Sequence, residues 1–181
     1  MELKEKTLVK KTILNGNLFN VRKDSVQLVN GDIVTRELIE HPGGACVAAF
    51  DENNNVYLVT QYRYGQQRSM VEFPAGKLAP GEDPRDCAKR ELMEETGYVA
   101  GKLVFIGEFV PTGAYLQERI YMYYADDLTL VGQSLEPDEF LELSCMSFDK
   151  LIEKVLIGEI TDGKTIAMAL KIKALKERNL L

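Results

Sequence analysis

The chain has 181 residues, 45% hydrophobic and 28% charged, which is the balance of a soluble globular protein rather than a disordered one. Its formal net charge of −6 excludes a broad nucleic-acid footprint, which needs clustered lysine and arginine, but leaves small polyanions bridged by cations. The scattered Cys46, Cys87 and Cys145 form no CxxC pair, the opening MELKEKTLVKK is too charged for a signal peptide, and no apolar run reaches roughly 18 residues, so a cytoplasmic protein without a membrane partner is expected.

From the N-terminus, β-branched and polar residues alternate in Thr7 to Ile13, Leu18 to Val29 and Ile33 to Ile39, with Asn15-Gly16 and Asn30-Gly31-Asp32 as turn signals. This predicts an antiparallel N-terminal sheet. Ala45 to Phe50 and Val56 to Tyr62 are apolar strand-like runs, and the turn-forming cluster Asp51-Glu52-Asn53-Asn54-Asn55 between them predicts a hairpin. Pro84 to Thr96 reads as a helix, with Asp83 able to cap it, proline suited to its first turn and Gly97 able to end it in a left-handed conformation. Leu103 to Val110 and Arg119 to Tyr124 predict another strand pair. A strand near Leu141 to Met146 then precedes two segments of helical period, Phe148 to Ile157 and Thr165 to Lys176, separated by Gly158 and Asp162-Gly163. Strands with few helices give an α+β fold, and the absence of a repeat or linker predicts one domain over residues 1–181.

The chemistry points to the helix that begins at Pro84. Glu91 and Glu95 are one turn apart and Glu94 lies three residues from Glu91, so their carboxylates gather on one side while Ala88 and Leu92 point elsewhere and can pack on the sheet. Carboxylates packed this closely raise each other's pKa unless a cation neutralises them, and hard oxygen ligands select Mg²⁺ or Mn²⁺. Glu-rich helix faces are ordinarily solvated surface. Here, however, the segment from Gly76 reads Gly76, five residues, Glu82, seven residues, Arg90-Glu91, Leu92, one residue, Glu94-Glu95, one residue, Gly97, Tyr98. This resembles the Nudix box at every specified position, with Tyr98 an aromatic variant of the final apolar residue. If each of the seven fixed residues matched by chance about once in 15, the coincidence would arise about once in 10⁸ placements.

The resemblance implies a Nudix fold: a mixed β-sheet sandwiched between helices in residues 43–181, preceded by an antiparallel β region in residues 1–42. It implies an enzyme that uses water and Mg²⁺, with Mn²⁺ as the alternative ion, to cleave a nucleoside diphosphate linked to another group. Carried over position by position, Glu91 and Glu95 are the principal metal ligands and the Ala75 carbonyl is a backbone ligand. Glu94 is a further ligand or a neighbouring acid, Arg90 pairs with Glu94 or Glu95, and Glu82 orients the loop or reaches a second metal through water. The single histidine, His41, is expected to be structural, which leaves a carboxylate as the base. The stretch Leu135-Glu136-Pro137-Asp138-Glu139-Phe140 resembles the acidic loop of ADP-ribose pyrophosphatases, with Glu136 the first choice for the base, Asp138 and Glu139 in reserve, and Asp138 also a candidate metal ligand.

Four other segments resemble the ADP-ribose pyrophosphatase branch: Arg36 to Gly43, Gln61-Tyr62-Arg63, Glu72 to Gly76, and Asp162-Gly163-Lys164-Thr165. Pro111 stands near the proline that marks the branch, but Thr112 to Glu118 departs from its Ser-Pro-Gly pattern through an insertion. Substrate contacts are implied at Arg36, Glu37, Arg63, Lys77, Pro111, Gly113 and Glu118, the arginines because a guanidinium fork suits phosphate or ribose. The N-terminal region is implied to form a homodimer in which each subunit contributes to the other's adenine site, with Phe19 or Leu18 flanking the base. The expected reaction is hydrolysis of ADP-ribose to AMP and ribose 5-phosphate. The alternatives are another nucleoside diphosphate sugar such as GDP-mannose or UDP-glucose, a dinucleoside polyphosphate, or a non-catalytic ligand-sensing Nudix module, which the intact box argues against.

Overall fold

The computed structural model describes residues 3–137 and 139–181, and the chain divides into two units, Met1–Gly43 with Val110–Arg119 and Gly44–Phe109 with Ile120–Leu181. In the first unit, β1 (Lys6–Val9), β2 (Thr12–Asn15), β3 (Asn20–Gln27) and β4 (Ile33–Glu40) form one antiparallel sheet. β3 pairs with β4 along its whole length, and β1 and β2 lie end to end against its other edge. The single strand expected over Thr7 to Ile13 is therefore two. The ladder breaks where the Lys11 amide donates to the Asp24 carboxylate (3.2 Å) and the Lys11 carbonyl accepts from the Lys23 amide (2.8 Å). Segment Val110–Arg119 is held on β4, the Ile39 amide donating to the Tyr115 carbonyl (2.7 Å) and the Gln117 amide to the Ile39 carbonyl (2.9 Å). The interior of this sheet is ionic. Arg22 and Asp24 are buried on one face of β3 and bonded to each other, Arg22 also pairs with Glu40, and Val26 is the only buried apolar side chain among the described residues of the unit.

The second unit is built around β5 (Gly44–Ala49), every residue of which is buried. A strand without a polar face must sit inside a sheet. β5 pairs in parallel with β10 (Ile120–Leu130) and antiparallel with β8 (Ala75–Lys77), and β9 (Tyr98–Phe109) adds antiparallel to β10, giving the mixed order β8-β5-β10-β9. A second sheet has β6 (Asn55–Arg63) between β7 (Arg68–Glu72) and β11 (Leu141–Ser147). This corrects the expected hairpin of residues 45–62. Asp51 does turn the chain, accepting from the Asn53 (2.9 Å) and Asn55 (2.8 Å) amides, but after one bridge between Phe50 and Val56 the strands enter different sheets. Both edges of β5 are already taken by β8 and β10. The short β7 and β8 carry no turn-bounded alternating run of their own, and sequence reading did not separate them.

Period-two alternation gives β5 two faces, each with its own core. Ala45, Val47 and Ala49 face Cys87, Ala88 and Leu92 of α1 (Pro84–Thr96), while Cys46 and Ala48 join Phe50 and pack with Leu58, Met122, and residues of α2 (Phe148–Leu156) and α3 (Gly163–Glu177). The sheet is thus covered by helix on both faces, the α+β layering expected from the sequence. The two faces bring α1 and the start of α3 to the same segment, Glu72 to Ala75, the first through Glu95 and the second through Thr165.

Candidate active site

Helix α1 begins where the sequence signals say it should. Asp83 caps it by accepting from the Arg85 amide (2.8 Å), Pro84 occupies the first turn, and Gly97 ends it at φ 76°. Gly97 also has a steric reason to be glycine, since an added Cβ would lie 2.7 Å from the Gln133 nitrogen. On this helix Glu91 is 7% exposed and Glu95 1% exposed. Glu95 accepts from the Ala75 amide (3.1 Å), and Glu91 lies against Gly76 so closely that a Cβ there would come 1.9 Å from Oε1. Gly76 is thus a cradle for a carboxylate.

Arg90 organises the acids. Its Nε donates to Glu82 (2.9 Å), Nη1 to Glu91 (2.6 Å) and Glu94 (3.0 Å), and Nη2 to Glu82 (3.1 Å) and to the Lys77 carbonyl (3.1 Å). Glu82 also accepts from the Ala79 amide (2.8 Å), which ties the loop before the helix to the helix itself. The bonds from Arg90 depress the Glu82 pKa to about 2. Glu95 is treated very differently. Burial first, then the charges of Glu91 and Glu139, push its pKa up to about 8. Burial also raises Glu91, with Arg90 opposing and Glu94 and Glu139 adding to the rise.

The acidic loop is anchored to the end of this helix. Gln133 Nε2 donates to the Glu95 carbonyl (2.6 Å), the Ser134 amide to the Glu94 carbonyl (3.1 Å), and the Val131 and Gly132 amides to the Gly97 carbonyl (2.8 and 3.1 Å). These bonds satisfy carbonyls that a helix end leaves without partners. Further on, Glu136 is exposed, whereas Glu139 is partly buried and its charge reaches both Glu91 and Glu95. Asp138 lies outside the described residues.

Arg63, at the end of β6, donates from Nε and Nη2 to the two oxygens of Glu72 (2.7 and 2.6 Å), and its charge also lowers the pKa of Glu95. Nη1 is the guanidinium nitrogen not used on Glu72. Lys77 has an exposed side chain, and only its carbonyl engages the cluster. Glu72 and Lys164 stand in segments the sequence singles out but carry no role read from it, since no local feature marks either charge as buried.

The remaining expected residues belong to the first unit. Arg36 forms a two-bond pair with Glu5 (3.0 and 2.6 Å), Glu37 pairs with Lys23 (3.3 Å), and Glu118 lies 3.5 Å from His41 Nδ1, which accepts from the Gly43 amide (3.1 Å). Pro111 and Gly113 are exposed in the segment docked on β4. Arg36, Glu37 and Gly113 share the lining of a hollow of about 530 Å³ with Lys10, Arg22 and Asp24.

Among the described residues no three His, Cys, Asp or Glu side chains are gathered at metal-holding spacing. The donor set nevertheless suits a divalent cation. Glu91 and Glu95 offer hard oxygens, and Glu95 is a buried carboxylate whose only hydrogen bond among the described residues comes from a neutral amide.

Comparison with known proteins agrees with this geometry. The family described as NUDIX domain matches residues 40–168. A protein of Bacillus subtilis named ADP-ribose pyrophosphatase is 36% identical over 177 residues, covering 97% of this chain and 95% of that protein. A Bacillus methanolicus protein named methanol dehydrogenase activator is 37% identical over 164 residues, covering 90% of this chain and 89% of that protein. A solved structure described as an ADP compounds hydrolase superposes with a TM-score of 0.83 over 100% of both chains at 22% identity, a likeness of fold.

The burial of Glu95 generates a prediction. Glu95→Gln keeps an acceptor for the Ala75 amide and removes a group that burial makes costly to ionise, so in EDTA its thermal midpoint is expected to be no lower than the parent's. In saturating Mg²⁺ its turnover is expected to fall by orders of magnitude. Near-parental turnover would take Glu95 out of the site.

Proposed function

Because the chain belongs to the NUDIX domain family, we propose that it hydrolyses the pyrophosphate of ADP-ribose, releasing AMP and ribose 5-phosphate. The observation that carries this reading is the carboxylate cluster of α1, with Glu91 and Glu95 buried and Arg90 bonded to Glu91, Glu94 and the Glu82 of the preceding loop, in a chain that aligns over nearly its whole length with a relative named ADP-ribose pyrophosphatase. A divalent cation, which we take to be Mg²⁺, would be held by Glu91, Glu95 and the Ala75 carbonyl, with Glu94 beside them. When bound, such an ion offsets charge on the phosphates and lowers the pKa of an attacking water. Arg90 keeps Glu91 and Glu94 in place and bonds the Lys77 carbonyl, and Glu82 fixes the loop that follows Lys77. Arg63 presents a guanidinium to a substrate phosphate while Glu72 holds its other edge.

The proton of the attacking water needs an acceptor. The sequence reading ranks Glu136 first, but of the described acids of this loop Glu139 is the partly buried one and its charge bears on Glu91 and Glu95, so we assign the base to Glu139. Glu139→Gln is expected to lower kcat by about 100-fold or more with little change in the Mg²⁺ dependence, and Glu136→Gln to stay within about threefold of the parent. The reverse order of losses would return the role to Glu136.

The first unit supports a homodimer. A sheet with one buried apolar side chain is a poor independent fold, and Leu8, Val9, Ile13 and Leu14 of β1 and β2, with Leu18 beyond them, are exposed. A second copy of the chain would cover them. Sedimentation is expected to give twice the chain mass for the parent and the single chain mass for Ile13→Asp/Leu14→Asp, and a monomeric parent at micromolar concentration would dismiss the dimer.

The reaction itself is tested by incubating the purified protein with ADP-ribose, GDP-mannose and diadenosine polyphosphates, in Mg²⁺, Mn²⁺ or EDTA, and identifying the products. Metal-dependent AMP and ribose 5-phosphate from ADP-ribose, faster than cleavage of the others, is the expected result. Preference for GDP-mannose or a dinucleoside polyphosphate would overturn the substrate.

A further inference from the structure

Asp162-Gly163-Lys164-Thr165 stands out in the sequence, and the chemistry above gives it no part. In the structure it starts α3. Asp162 caps the helix, accepting from the Thr165 amide (2.9 Å) and hydroxyl (2.6 Å). The same oxygen accepts from Lys164 Nζ (3.0 Å), and Nζ also donates to Glu72. Thr165 Oγ1, having donated to Asp162, accepts from the Phe73 amide (2.9 Å), so the network closes on the residue next to Glu72. Its charges run Arg63, Glu72, Lys164, Asp162, alternating in sign.

Little of this is wet. Thr165 is 0%, Glu72 1% and Lys164 8% exposed. Buried ion pairs are a poor source of stability, because apolar side chains of similar volume often pack as stably or more so. Stability therefore does not account for a lysine at this position. What the charges provide and apolar packing cannot is direction: a carboxylate held from one side by Lys164 presents both oxygens to the fork of Arg63 and fixes the plane of the guanidinium. Burial alone would push Glu72 up, yet the bonds and charges of Arg63 and Lys164 hold it below the usual carboxylate range, so it stays an acceptor for both.

We propose that Lys164, anchored by Asp162, is a positioning residue that acts through Glu72 to orient the Arg63 guanidinium and thereby sets the affinity for a substrate phosphate. This rests on the reading of Arg63 as a phosphate contact.

The test compares Arg63→Lys, Lys164→Met, the double variant and Lys164→Arg, by kinetics on ADP-ribose and by the solvent exchange of the Arg63 Nε–H resonance. Lys164→Met is expected to fold, to raise KM about tenfold with kcat within about threefold, and to speed exchange of that resonance to the rate of exposed arginines. Lys164→Arg restores most of the affinity, and the double variant is no worse than Arg63→Lys alone, as for two changes acting through one contact. If Arg63→Lys leaves KM unchanged, the reading of Arg63 fails and takes this proposal with it. If Arg63→Lys raises KM but Lys164→Met does not, if the two losses multiply, or if the resonance stays slow in Lys164→Met, the positioning role alone is overturned. Should Lys164→Met not fold, Glu72→Gln breaks the same path at its middle, with the same expected and overturning results.

Discussion

The site depends on burying two carboxylates of one helix within a turn of each other, and the two are stabilised unequally. Each buried ion loses several kcal/mol of hydration after relaxation. Glu91 recovers part of this from Arg90, where a hydrogen bond between charged groups contributes roughly 1.5–3 kcal/mol. Glu95 receives one bond, from the neutral Ala75 amide, with no arginine bonded to it among the described residues, and it feels the charge of Glu91 besides. The deficit falls on the more deeply buried of the two. A site arranged for stability alone would have put the arginine against Glu95, whereas one that holds a cation leaves that position short of positive charge.

The surroundings follow from that constraint. Glu91 can retreat from solvent only because residue 76 has no side chain, and the helix can end beneath the acidic loop only because residue 97 has none. The Ala75 amide that meets Glu95 lies on β8, whose place is fixed by its pairing with β5, itself held by two cores that share no side chain. Packing on one face sets α1, and packing on the other sets α3. The segment Glu72 to Ala75 takes its position from both, through Glu95 and Thr165.

How much of this was legible in the sequence depended on the distance over which each interaction acts. The boundaries of α1 and its Asp83 cap were readable from local turn and capping signals, and the one-turn separation of Glu91 and Glu95 from the 3.6-residue period. So was an arginine within reach of its neighbours, although its partners are Glu82, Glu91 and Glu94 and not Glu95. The parting of β5 and β6 was hidden, because a turn specifies that the chain reverses but not which edges the strands then find. The pair of Lys164 with Glu72 spans 92 positions, and nothing local distinguishes a lysine bound for the interior from one bound for water. Arg36 shows the converse: a guanidinium suited to phosphate already holds Glu5 in a two-bond pair.

The acidic loop illustrates how a mobile kind of element can be given a fixed reference. Loops place functional groups well only when something rigid carries them. Here the carrier is the backbone of the helix that also bears the proposed metal ligands, because the carbonyls of Glu94, Glu95 and Gly97 bind residues 131–134. At its far end the loop enters β11, whose register against β6 is continuous from Leu141 to Ser147. A helix end would otherwise spend those carbonyls on water. Using them on the loop ties residues 131–134, which lead toward the proposed base, to the helix that bears the proposed ligands.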